Sequence, residues 1–91
     1  MWVEEKIKNG KLLCVSVTCE NHKISNIKIS GDFFIYPEDD ITLLESCFHG
    51  ISIPFDEQKL LSEVISKTSK TNIIGFDLSD LIRLVKRAAD K

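Results

Sequence analysis

Apolar and polar residues alternate through the first third of the chain, and the spacing then lengthens to three or four residues. This change of period places strands first and helices after them. Leu13, Val15, Val17 and Cys19 alternate with Leu12, Cys14, Ser16 and Thr18, which sets a mainly β-branched face inward and a more polar face outward. Asn9-Gly10 separates this segment from residues 2–8 and accepts positive φ at both central positions, predicting a type I′ hairpin. Glu20 to Lys23 turns the chain back into residues 24–30. There Ile27 and Ile29 share a face and Ile24 falls on the other, so a bulge is expected. Gly31-Asp32 makes a third turn into residues 33–36, which completes a four-stranded antiparallel meander.

From Pro37 the pattern is helical. Pro37 suits a first helical turn, Glu38, Asp39 and Asp40 complement the positive helix start, and Ile41, Leu44 and Phe48 recur on one side until Gly50. Pro54 and Asp56 open a second helix whose apolar stripe is Leu60, Leu61, Val64 and Ile65. Residues 73–76 read as an extended connector. Asp77 then caps a third helix, with Asp80 at the position that completes a capping box. Leu78, Leu81, Ile82, Val85, Ala88 and Ala89 mark its buried side, and Arg83, Lys86, Arg87 and Lys91 gather near its C-terminal end as a solvated face.

The fold class expected is α+β: an antiparallel meander of three to four strands followed by three helices packed on one face. All 91 residues are expected to form one domain, with strands over 2–36 and helices over 38–90. A chain of this length buries only about 60–65% of its unfolded surface, so a partner surface would add to a thin margin of stability.

The net charge of −2 argues against a nucleic-acid module, which needs a basic field to offset phosphates. No apolar run approaches the roughly 20 residues of a membrane span, and the amino terminus lacks the pattern of a signal peptide. A cytoplasmic protein is expected. Cys14, Cys19 and Cys47 are odd in number and lack C-x-x-C spacing, so reduced, mostly buried thiols are expected in place of disulfides or a zinc knuckle.

Catalytic motifs are missing from the sequence. The four glycines are scattered one per turn, so no Gly-rich loop can cradle a phosphate. His22 and His49 have no second ligand at helical spacing, and Cys47 and His49, two apart on a helix, point in different directions. No catalytic, cofactor-binding or metal-ligating residue is assigned to this chain.

The aromatic strand after Gly31-Asp32 is more informative. Phe33 and Ile35 point one way, and Phe34 and Tyr36 the other. One face can meet the domain's own helices and the other then wants a partner; the alternative is that all four side chains belong to the core of the domain. Gly10-Lys11-Leu12, the alternating strand, Glu20-Asn21 before Lys23-Ile24, Ile27 and Ile29, Gly31-Asp32-Phe33-Phe34 and Pro37-Glu38 together resemble the C-terminal accessory domain of lipoate-protein ligases. Gly50 and Ile73-Ile74-Gly75 fit the second half of that domain. The chain departs from the family at Asn21-His22, where glycine is the usual second residue.

The resemblance is to the free-standing small subunit of the two-subunit ligases, since the arginine- and glycine-rich loops and the essential lysine of the catalytic domain are missing from this sequence. It implies a heterodimer with a large catalytic subunit. That complex uses ATP to activate lipoate or octanoate as the acyl-adenylate, then acylates a lysine on lipoyl domains of 2-oxoacid dehydrogenases or on the glycine-cleavage H protein. ATP, Mg and lipoate are expected in the large subunit and none in this chain alone. Gly31, Asp32, Phe33, Phe34 and Tyr36 are the expected partner interface.

Two other readings carry different expectations. A sulfur-transfer or iron-sulfur assembly module needs an exposed thiolate in a positively biased loop, and none of the three cysteines is expected to be exposed in that way. A plain interaction domain that self-associates would bury its aromatic strand in a second copy.

Overall fold

The computed structural model describes residues 2–7 and 10–89. Eight elements follow in order: β1 (Trp2–Lys6), β2 (Leu12–Glu20), β3 (Lys23–Gly31), β4 (Phe34–Tyr36), α1 (Asp40–Ser46), α2 (Glu57–Lys67), β5 (Asn72–Ile74) and α3 (Leu78–Ala89). The α+β class and the antiparallel strands followed by helices are as the sequence predicts.

β1, β2 and β3 form an antiparallel sheet in that order. Its inner face presents Val3, Leu13, Val15, Val17, Ile24, Ile27 and Ile29, all buried. α3 lies across β1 and β2, and α2 packs on α3. α3 contributes Leu81, Ile82, Leu84, Val85 and Ala88 to the core, and the other helices add Leu44, Phe48, Leu60 and Val64. Each such side chain contributes about 1.5–3 kcal/mol when fully withdrawn from water.

Ser25 has no counterpart on β2, because Thr18 pairs with Asn26 and Cys19 with Ile24. This expected bulge shifts the parity of β3 by one residue, so Ile24 joins Ile27 and Ile29 in the core. Glu20 and Lys23 pair across the turn. Asn21 and His22 both have positive φ, +53° and +63°, which gives the two-residue loop the twist of a type I′ hairpin despite the absent glycine. The type I′ turn expected at Asn9-Gly10 lies partly outside the described residues. Gly10 itself has a φ of +72° and donates to the Ile7 carbonyl at 2.9 Å.

The outer edge of β3 is covered from two directions. The Ile29 N–H donates to Glu45 of α1 at 2.9 Å. The α1–α2 connector runs beside the other end, with Gly50 N donating to Ile24 O and Ile53 N to His22 O, each at 2.8 Å. Such cover removes a pairing edge that could recruit other chains.

Several expectations are corrected. β4 does not extend the meander: it pairs antiparallel with β5, the segment expected to be a connector, in a separate two-stranded ribbon. α1 starts at Asp40, and Asp39 precedes it without a side-chain cap. Asp56 does cap α2, accepting from the Gln58 and Lys59 N–H groups. The α2 stripe is narrower than its sequence suggests, since Ile65 stands 51% exposed, one turn beyond Leu61 and next to the buried Val64. Cys19 is exposed, at the end of β2 beyond the bulge, where the covering connector reaches β3 and not β2. The basic end of α3 is not merely solvated: Arg83 and Arg87 both pair with Glu5 of β1, and Lys86 pairs with Glu57 of α2. No helix among the described residues is long and apolar enough to cross a membrane.

Candidate functional site: the outer face of the β4–β5 ribbon

The ribbon is held to the large sheet by the turn that precedes it. Gly31 has a φ of +143°, and a Cβ there would stand 2.2 Å from the Leu12 carbonyl oxygen. Only glycine fits that approach. Asp32 then locks to the same residue from both sides. Its N–H donates to Leu12 O at 2.8 Å, and its carboxylate accepts from the Leu12 N–H at 3.3 Å. Gly75, at the far end of β5, has a φ of +121° and leaves room for the turn: a Cβ there would meet Asp32 O and the Phe33 Cβ at 2.9 Å. At the other end of the ribbon the Thr71 hydroxyl donates to Asp40 of α1 at 2.5 Å.

Strand alternation then separates the side chains. Phe33, half-buried, meets the buried Phe76 ring edge to face, with centroids 5.0 Å apart and planes at 87°. Ile35 is buried opposite Ile73, which packs on the core. Phe34 pairs with Ile74 and Tyr36 with Asn72, on the opposite face. Phe34, Tyr36 and Ile74 are 77%, 71% and 67% exposed. Among the described residues, the other exposed large apolar side chains, Trp2, Leu43 and Ile65, stand on separate elements.

An open groove of about 420 Å³ runs along the base of this patch, between Lys11, Gly31, Asp32, Phe33, Phe34, Ile74 and Gly75. The five residues expected at an interface are therefore brought together, but in different roles. Phe34 and Tyr36 face solvent, whereas Gly31, Asp32 and Phe33 build the support beneath them. Two members of the site carried little sequence signal. Ile74 was hidden in an apparent connector, although a short apolar run closed by glycine is also a strand signature. Lys11 belongs to the Gly10-Lys11-Leu12 stretch that carries the resemblance, but its position after a turn does not place it beside the ribbon.

The remaining reactive groups do not form a site. Burial, followed by the hydrogen bond to Glu4, pushes the Cys14 thiol above its ordinary range. Burial likewise raises Cys47, whose thiol donates to the Leu43 carbonyl at 3.4 Å while His49 is exposed. Both thiols are held protonated, the opposite of what nucleophilic sulfur chemistry needs. Cys19 is the exposed cysteine, on a strand end next to Glu20 and not in a basic loop. Among the described residues no three His, Cys, Asp or Glu side chains come together to hold a metal.

A family model for the bacterial lipoate protein ligase C-terminus matches residues 3–85, which takes in both sheets and most of α3. The chain belongs to that family. Lipoate-protein ligase A subunit 2 of Thermoplasma acidophilum is 46% identical over 83 residues, covering 89% of this chain and 82% of that relative. Among solved structures, a chain from an archaeal lipoylation system, described as a bi-partite lipoate protein ligase and its E2 lipoyl domain from Thermoplasma acidophilum, superposes with a TM-score of 0.66. That match spans 98% of this chain and 94% of the other at 26% identity. The ligase C-terminal fold thus includes the ribbon as well as the larger sheet. The Asn21-His22 departure leaves that fold intact, because both residues adopt the backbone that glycine would otherwise supply.

Proposed function

We propose that this chain is a non-catalytic accessory subunit of an ATP-dependent lipoate-protein ligase, acting in the cytoplasm as a heterodimer with a separate catalytic subunit. The observation that carries this reading is similarity along most of its length to a relative named subunit 2 of such an enzyme. The sequence supports it too, since its four glycines serve separate turns and leave no loop to bind nucleotide phosphates. ATP, Mg and lipoate or octanoate belong to the catalytic subunit in this reading. The accessory subunit covers and orders that active site during formation of the acyl-adenylate, and the acyl group then passes to a lysine of a lipoyl domain.

Positioning and water exclusion suit a subunit without reactive groups. An acyl-adenylate is lost to water unless the site is closed, and phosphate-binding loops act only when held in place. Lipoate-dependent exchange between ATP and pyrophosphate tests the proposal, using the cognate catalytic subunit with and without this chain. Exchange that requires both supports it. Full exchange by the catalytic subunit alone overturns it.

A further inference from the structure

We propose that the outer face of the β4–β5 ribbon, with Lys11 at its rim, is the surface that docks the catalytic subunit, and that the partner meets it with an apolar patch bordered by a carboxylate. This rests on the accessory-subunit reading above.

Three observations lead to this surface and this occupant. Phe34, Tyr36 and Ile74 form a contiguous patch, each exposed by two thirds or more, on a face of paired strands. Large aromatic side chains standing together in water are unusual unless another molecule covers them. The patch is also pre-organised. The Leu12–Asp32 bonds, the Phe33–Phe76 ring contact and the close fit at Gly31 and Gly75 fix the backbone beneath it, so docking loses little conformational freedom. Finally, the groove carries one charge of each sign, Lys11 and Asp32, and they differ in their partners. The Asp32 carboxylate is engaged by the Leu12 N–H, whereas Lys11 makes no ion pair among the described residues. A carboxylate on the partner complements that rim and fixes the register of the contact.

Calorimetric titration of the full chain into the cognate catalytic subunit, at low and moderate salt, tests the assignment. Phe34→Ala and Tyr36→Ala are each expected to raise Kd by about tenfold or more. Lys11→Glu is expected to raise it by about tenfold and flatten its salt dependence, with Lys11→Met about threefold. Glu63→Ala, on α2, leaves binding unchanged. Thermal melts confirm folding, and Ile74→Ala gives a second truncation on β5 should a β4 variant misfold.

Binding by folded Phe34→Ala and Tyr36→Ala within twofold of wild type overturns the surface. A wild-type homodimer by light scattering that Phe34→Ala dissolves overturns the occupant, making it a second copy. Wild-type chain that neither binds the catalytic subunit nor promotes exchange removes the accessory reading as well. Binding and exchange that persist in every ribbon variant remove the surface assignment alone.

Discussion

On the three-stranded sheet the inner face is buried under α3, and the outer face offers water Glu4, Lys6, Ser16, Thr18, Lys28 and Ser30, with Trp2 at one end. On the ribbon the inner pair, Ile35 and Ile73, also turns toward the core, but the outer face offers water Phe34, Tyr36 and Ile74 beside a single polar side chain, Asn72. Both sheets therefore satisfy the core, and they differ in what they show to the outside. Polarity on the first outer face meets the needs of a solvated sheet. The second is built against those needs, and the fold alone gives no reason for its composition, which is the ground for the docking surface proposed above.

Substitutions at matched positions can break or sharpen this contrast. Leu13→Ala empties a fully buried position on β2 and is expected to cost about 2–5 kcal/mol in chemical denaturation. Phe34→Ala removes a larger side chain yet is expected to change stability by less than about 0.5 kcal/mol. Comparable losses at the two positions would mean that the ribbon face belongs to the core. Gly31→Ala tests the joint between the two sheets. The positive φ and the overlap with the Leu12 carbonyl predict a loss of about 2–3 kcal/mol, and a near-neutral result would show that the joint is loose. The smallest effect has the opposite sign. His22→Gly relieves a non-glycine residue at φ +63° and is expected to stabilise the large sheet by about 0.5–1 kcal/mol, with no effect on partner binding.

Much of this arrangement was legible in the sequence, because periodicity is a local signal. The β2 alternation, the displaced Ile24 that marks the bulge and the stripe on α3 each place buried residues within their own element. Leu84 was missed there only because the stripe is wider than its most regular members. The split of Phe33 and Ile35 from Phe34 and Tyr36 was legible for the same reason. The pairing of β4 with β5 was not. Each strand has three residues, and they lie almost forty positions apart, so nothing local says that they meet. From the sequence, the exposed patch consequently reads as one turn and strand. Its second wall, Ile74, and its cationic rim, Lys11, arrive from distant parts of the chain. Cys19 and Ile65 show a related limit: a residue can keep the pattern of a buried face at a place where the covering layer has ended.

The ion pairs from Glu5 to Arg83 and Arg87 hold the first strand beside the last helix, with Arg87 2.7 Å from Glu5. The path of the backbone is thereby nearly closed into a loop. The first strand and the last helix therefore cover one another, so that truncation of either would expose part of the other to water.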